Sequence, residues 1–183
     1  GYTDDMKTGL IVLGVIVLIV VGGIGWAIGI NNQLVAQEQA VNEKWAQVQN
    51  VYQRRADLIP NLVETVKGYA AQERTVLEEV TKARASVAGI KATPELVNDP
   101  EAFRKFQAAQ QELSGALARL LVTVERYPDL KSNQNFLTLQ SQLEGTENRI
   151  AVERMRYSEA VRDYNTRLRL FPGSLVASLR GFK

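Results

Sequence analysis

The chain divides into two regions that differ in their pattern of apolar and polar residues. From Thr8 to Gln37 the sequence carries no charged residue. Its apolar centre, Gly9 to Ile30, is long enough to cross a bilayer core of about 30 Å as one helix. It is longer than the apolar stretch of a secretory signal peptide, which is typically about 7 to 15 residues, and no Ala-x-Ala-like cleavage site follows it. We therefore predict a retained single-pass transmembrane helix at 9–30, preceded by a short polar segment at 1–8.

After the apolar run, apolar residues recur at the spacing of helices that bury one face. Pro60 lies in the middle of this pattern, lacks a backbone donor and disfavours helical geometry in the residue before it. We therefore expect Pro60 to begin a new helix after a tight turn, which gives helices at 31–58 and 60–89. A continuous helix from 31 to 89 would be about 90 Å long, and the remaining helices could not cover it.

Two further helices are predicted at 100–127 and 132–171. Asp99-Pro100-Glu101 combines a capping side chain, a proline in the first turn and an acid at the positive end of the helix dipole. The last helix carries a seven-residue apolar repeat of the bundle or coiled-coil type: Phe136, Leu143, Ile150, Tyr157, Tyr164 and Phe171. The predicted fold is all-α: a single N-terminal transmembrane helix, an antiparallel up-and-down four-helix bundle over 31–171 and an apolar tail at 172–183.

Several motifs follow one another along the region after the apolar run. They are Arg-Arg-Ala-Asp-Leu-Ile-Pro-Asn-Leu-Val-Glu-Thr-Val-Lys-Gly-Tyr-Ala from Arg54, Tyr-Pro-Asp-Leu-Lys from Tyr127, Leu-Glu-Gly-Thr-Glu-Asn-Arg-Ile-Ala from Leu143, and Phe-Pro-Gly-Ser-Leu-Val-Ala from Phe171. Together they resemble the LemA family of bacterial membrane-anchored helical proteins, from about Leu34 to Phe182. The resemblance implies a membrane helix followed by a helical bundle, and it brings no catalytic residue.

Composition excludes several kinds of chemistry. The chain has no Cys and no His, so it lacks a thiolate nucleophile, the usual acid–base group at neutral pH and the commonest zinc ligands. Its formal net charge of +2 comes from 22 basic and 20 acidic residues of mixed sign, unlike the one-sided basic patch of a nucleic-acid-binding protein. We expect no cofactor, no metal and no small-molecule substrate, and we expect that the protein is not an enzyme. A Lys or carboxylate base stays open.

One candidate site consists of charged residues on two predicted helices: Arg54, Arg55, Asp57, Glu147 and Arg149. They could form a pocket for an anionic partner, or an inter-helix ion-pair network that fixes the register of the helices. We favour the network, because bundle interiors tolerate charge only when it is paired.

A second candidate site concerns membrane and assembly contacts. Gly25 and Gly29 form a small-xxx-small pair that can let two membrane helices approach closely, although glycine is common in such helices. The tail adds four apolar residues: Leu175, Val176, Leu179 and Phe182. These could rest on the lipid interface or on a neighbouring subunit, with Arg180 and Lys183 near head groups, or the tail could fold back onto the bundle as a cap.

These features favour a membrane-anchored scaffold or adaptor of the bacterial cell envelope, which assembles with itself or with other envelope proteins. The alternative is a membrane-remodelling or lipid-interacting protein that acts through the anchor and the tail. We expect the bacterial inner membrane as its location. Lys7 and Lys44 flank the anchor on opposite sides, so the positive-inside rule does not orient it. If Met6 is the natural start, Lys7 favours a bundle outside the cytoplasm.

Overall fold

The computed structural model describes residues 1–90 and 93–182, and every regular element among them is helical. The elements are α1 (Tyr2–Ala70), α2 (Arg74–Ala88), a short 3-10 helix (Pro94–Asn98), α3 (Pro100–Val124), α4 (Pro128–Lys131), α5 (Gln134–Arg169) and α6 (Gly173–Arg180). The first part of α1 is long and apolar enough to span a membrane. The predicted all-α class with one long apolar N-terminal helix is therefore confirmed.

The chain forms two compact units, and the first takes residues from both ends of the sequence. The first unit contains Gly1–Val41 and Ser158–Lys183, and the second contains Asn42–Tyr157. The first unit therefore groups the C-terminal tail with the apolar N-terminal segment, although the two are far apart in sequence.

The main core of the second unit is built from one apolar face of each of its helices. Its buried side chains come from α1 (Ile59, Leu62, Val66, Ala70), α2 (Leu77, Val80, Ala83, Val87), α3 (Ala109, Leu113, Ala116, Leu117, Leu120, Val124), α4 (Leu130) and α5 (Phe136, Leu139, Leu143). These positions recur every three or four residues, which is the spacing of one helix face.

A second, aromatic cluster lies in the same unit. The indole of Trp45 contacts the rings of Phe103, Phe106 and Tyr157, with centroid separations of 5.6, 5.8 and 5.2 Å. Tyr52 packs edge-on against Phe106 at 5.6 Å. Tilted and edge-to-face contacts at these distances are the favoured geometries of aromatic pairs, so this cluster joins the middle of α1 to α3 and α5.

Helix α1 continues through Pro60, so the prediction that Pro60 begins a new helix is wrong. Pro60 has no amide hydrogen to donate to the carbonyl of Ala56, four residues earlier. Arg84 of α2 supplies a donor instead, because its Nε bonds to the carbonyl oxygen of Ala56 at 2.9 Å. The predicted helices at 31–58 and 60–89 are thus replaced by one helix that ends at Ala70 and by a separate α2.

The start that the sequence predicts for α3 is confirmed, and α5 begins at Gln134, two residues after its predicted start. Each helix has a side-chain cap. Asp99 Oδ1 accepts hydrogen bonds from two backbone N–H groups of the first turn of α3, at 3.1 and 3.2 Å. Asn133 Oδ1 accepts from the backbone N–H of Phe136 at 3.0 Å, at the start of α5. Such caps satisfy amide groups that have no partner within the helix.

The pairing of Arg84 with the Ala56 carbonyl gives the first prediction. Arg84→Met keeps the apolar stem but leaves the carbonyl without a donor, so it should lower the free energy of unfolding by about 1 to 2 kcal/mol. In a Pro60→Ala background the new amide N–H can bond to Ala56 within the helix, so the same substitution should cost much less. Urea unfolding of the full chain in a mild detergent, monitored by circular dichroism, gives the free energy of unfolding of the unaltered chain, the two single variants and the double variant.

The matched control is Lys82→Met, which changes an exposed cation on the same helix. It should have a small effect in both backgrounds. Equal costs of Arg84→Met with and without Pro60 would show that the side chain does not act through the Ala56 carbonyl.

Candidate functional site

Arg55 forms the polar centre of the second unit. Its side chain is 1 % exposed, and one terminal nitrogen donates to Ser114 Oγ at 2.7 Å and to Glu147 Oε1 at 2.9 Å. The other donates to the carbonyl oxygen and to the side-chain oxygen of Gln110, at 3.1 and 2.6 Å. The guanidinium carbon also lies 5.4 Å from the centre of the Tyr52 ring, within the range of a cation–π contact. The buried charge of Arg55 is therefore paired and hydrogen-bonded by its own chain.

The space beside Arg55 is small. A cavity of about 100 Å³ is lined by Arg55 together with Gln107, Gln111 and Arg154, among others. The Nε atom of Arg55 is buried and makes no hydrogen bond to a described group. At about 30 Å³ for each water molecule, the cavity suits solvation of the guanidinium rather than an organic ligand. This geometry favours a structural ion-pair centre over a pocket for an anionic partner.

The structure brings two of the five predicted charged residues together, Arg55 and Glu147. Arg54 and Arg149 are exposed, and exposed Asp57 accepts a hydrogen bond from Gln53 Nε2 at 2.9 Å. Each helical residue is rotated by about 100° from the one before it, so Arg54 cannot share the face of Arg55. Of the two adjacent arginines, the network consequently contains Arg55 and not Arg54.

Gln110 and Ser114 are partners of Arg55 that the sequence patterns did not predict. A signal was present for Gln110, which lies between Phe106 and Leu113 on the apolar stripe of α3 and is itself buried. A polar residue at a core position must find a partner, and an arginine on a neighbouring helix can supply one.

In the first unit, α6 folds back onto α1. The side chain of Val176 is buried against Ile30 and Leu34, and Phe182 packs partly against the same cluster. Gly173 permits this turn, because a Cβ at its position would overlap the main-chain carbonyl of Arg167. Of the two alternatives for the tail, docking on the protein is therefore seen for one face of α6, where it covers α1 just after the apolar run.

The other face of α6 stays exposed. Leu175 and Leu179 are 53 % and 79 % exposed, and Phe171, just before the turn, is 76 % exposed. Arg180 Nε donates to the side-chain oxygen of Asn31 at 3.1 Å. Lys183, which the sequence analysis places near head groups, lies outside the described residues.

A groove of about 770 Å³ lies within the first unit, and we call it the interface groove. It is lined by Trp26, Gly29, Ile30, Gln33 and Gln37 of α1 and by Asp163, Thr166, Arg167, Leu170, Phe171, Pro172 and Gly173. The ring centres of Trp26 and Phe171 are 6.4 Å apart, and Arg167 donates to the side-chain oxygen of Gln33. The groove is thus apolar at one end and polar at the other.

The two glycines of the predicted pair have different surroundings. Gly25 and Gly29 are both exposed, and a Cβ added at either would meet no described atom within 4 Å. Gly29 lines the interface groove, whereas Gly25 does not.

Three tyrosines have raised pKa values. The hydrogen bond that Tyr127 donates to Glu73 raises the pKa of its phenol. Burial raises the pKa of Tyr157, and burial together with the charge of Glu38 raises that of Tyr164. These phenols therefore stay neutral at pH 7 and act as packing and hydrogen-bonding groups.

Comparison with known proteins agrees with the motifs in the sequence. The sequence model of the LemA family matches residues 44–183. The magnetosome protein MamQ of Magnetospirillum gryphiswaldense is 26% identical over 168 residues, which cover 83% of this chain and 62% of that relative. Magnetosome protein MamQ 2 of Paramagnetospirillum magneticum matches to the same extent. The chain therefore spans somewhat less than two thirds of the length of these relatives.

The Arg55 centre gives the second prediction. Arg55→Met leaves the buried amide of Gln110 without its partner and should lower the free energy of unfolding by about 3 kcal/mol. Glu147→Gln should cost about 1 kcal/mol or less, because the glutamate is 47% exposed and solvent screens the pair. Urea unfolding of the full chain measures both.

Arg54→Met is the matched control, since it removes the same charge from the adjacent, exposed position and should change stability by less than about 0.5 kcal/mol. If the Arg54 and Arg55 variants lost equal stability, the buried network would not be the source of the effect.

Proposed function

The chain belongs to the LemA family, and we propose that it is a membrane-anchored helical scaffold or adaptor of the bacterial cell envelope. In this role it assembles with itself or with other envelope proteins and catalyses no reaction. One observation carries the proposal: Arg55, the most buried charged group among the described residues, is bound by Ser114, Glu147 and Gln110 of the same chain. Chemistry of that kind holds helices in register and leaves little room for a substrate.

The second unit supplies the body of the proposed scaffold. We propose that its helical segments, the end of α1 with α2, α3 and the beginning of α5, pack as an antiparallel bundle. The shared core from Ile59 to Leu143 supports this arrangement, because each segment contributes a stripe of buried residues. Exposed surfaces of a bundle are available to partners without any change in the core.

Self-assembly through the membrane helix is the third prediction. The apolar segment exposes its side chains, among them Ile24, Trp26 and Ile28, and Gly25 offers a place where a second helix can come close. Gly25→Ile should therefore weaken self-association by about tenfold, which corresponds to about 1.4 kcal/mol. Energy transfer between donor- and acceptor-labelled chains in liposomes, measured while the protein is diluted with lipid, gives the dissociation constant.

Gly23→Ile is the control. It makes the same change two residues away, which is about 200° around the helix, and a Cβ there also meets open space. Association that is unchanged in both variants, or weakened equally, would count against a glycine face in the assembly.

The alternative, a lipid-interacting protein that acts through the anchor and the tail, is supported by the exposed face of α6. Leu175 and Leu179 project from a short helix that is docked directly after the apolar run. Apolar residues beside a basic side chain such as Arg180 are typical of helices that lie in the interface.

The fourth prediction tests this alternative with a fluorophore on a single Cys. A label at Leu175→Cys should be quenched by lipids brominated in their acyl chains and protected from aqueous iodide, because this face rests on lipid. A label at Ser158→Cys, an exposed polar position of α5 in the same unit, should show the reverse. Equal iodide quenching at both positions in liposomes would contradict a membrane-bound tail.

A further inference from the structure

We infer that the interface groove binds one zwitterionic phospholipid whose head group carries a primary ammonium, that is, phosphatidylethanolamine. The inference goes beyond the proposed scaffold function. It needs the membrane anchor but does not depend on self-assembly.

The α1 wall of the groove changes from apolar to polar in one direction. Trp26, Gly29 and Ile30 come first, then Gln33 and finally Gln37, so the side chains follow one another at helical spacing along one face. The apolar members belong to the apolar segment at 9–30, which is long enough to span a membrane. The polar members follow that segment, where head groups would lie.

The opposite wall, formed by the end of α5 and the residues that follow it, shows the same order. Phe171 and Leu170 lie at the apolar end, where Phe171 contacts Trp26. Thr166 and Arg167 come next, where Arg167 bonds to Gln33, and Asp163 is one turn further along the helix. A glycerophospholipid has this sequence of groups: acyl chain, ester, phosphate and then amine.

The charges of the groove select the class of head group. Arg167, with the hydroxyl of Thr166 and the amide of Gln33, offers donors for a phosphate. Asp163 lies one turn away, about 6 Å along the helix axis, and offers a carboxylate for a cation. One positive and one negative side chain match a zwitterion, whereas a net-anionic head group would place Asp163 beside uncompensated negative charge.

Asp163 distinguishes a primary ammonium from a trimethylammonium. An ethanolamine ammonium can donate N–H groups to the carboxylate of Asp163, which lines the groove. A choline head group has no N–H and cannot do so.

The size of the groove suits part of a lipid. Its volume of about 770 Å³ lies within the range of small-molecule sites, about 300 to 1,000 Å³. The tilted rings of Trp26 and Phe171 provide an apolar border for the upper part of an acyl chain.

The test uses the full chain, freed of lipid in a mild detergent and mixed with equal amounts of dioleoyl phosphatidylethanolamine, phosphatidylcholine and phosphatidylglycerol. Native mass spectrometry then counts the lipids bound to each chain. We expect one phosphatidylethanolamine per chain, bound about tenfold more tightly than phosphatidylcholine. Asp163→Asn should bring these two lipids to parity, and Arg167→Gln should weaken all three.

A variant that acquires a new lipid preference distinguishes an altered groove from a misfolded chain. Asp163→Lys should turn the preference toward phosphatidylglycerol, which a misfolded chain could not produce. Gly29→Leu should fill the groove and abolish the bound lipid, and circular dichroism reports whether the helices are retained. Glu159→Gln and Arg162→Gln make equivalent charge changes on the same helix, outside the groove, and should leave binding unchanged.

Three outcomes would overturn the inference: equal binding of the ethanolamine and choline lipids by the unaltered chain, a preference for phosphatidylglycerol, or lipid retention that no groove variant alters. As a fourth such outcome, groove variants that change self-association but leave lipid binding unchanged would identify the groove as a contact between copies. The same spectra report the oligomeric state. An unaltered chain that stays monomeric but keeps its lipid selectivity therefore contradicts the scaffold proposal alone, and an unaltered chain that assembles but lacks lipid selectivity contradicts this inference alone.

Discussion

The carbonyl oxygen of Ala56 is the constraint on which the second unit depends. Pro60 cannot donate to it, and a buried carbonyl without a donor costs about 1 to 3 kcal/mol. Because Arg84 of α2 donates to it at 2.9 Å, α1 keeps its helical path and places Ile59, Leu62 and the residues after them in one core. The same hydrogen bond therefore supports the continuous path of α1 and holds α2 against it.

The residue beside Ala56 makes a second set of directional contacts. Arg55 bonds to Gln110 and Ser114 of α3 and to Glu147 of α5. Two adjacent residues of α1 thus hold hydrogen bonds to α2, α3 and α5. Apolar contacts alone tolerate sliding by a turn, since one aliphatic side chain replaces another at little cost, whereas hydrogen bonds with fixed donors do not. We propose that this polar centre fixes the register of the helices.

Local features of the fold could be predicted from sequence, and features that depend on distant residues could not. The uncharged run, the cap at Asp99 and the apolar stripes depend on neighbouring residues, so the sequence pattern alone predicts them. Pro60 was misinterpreted because its compensating donor lies on another helix. Arg54 and Arg55 were equivalent by composition, and only the direction in which each side chain points separates them. The interface groove is built from two segments that are far apart in the sequence, 26–37 and 163–173, and no residue of either is unusual alone.

The turn at Gly173 shows how one local requirement serves two purposes in the first unit. Only glycine fits against the main-chain carbonyl of Arg167, and the turn it permits lays Val176 over Ile30 and Leu34. The same turn holds Phe171 beside Trp26, which forms the apolar end of the groove. A larger residue at 173 would therefore disturb the small core and the groove together. Covering the end of the apolar run and shaping a site for an amphiphile are consequences of a single backbone geometry.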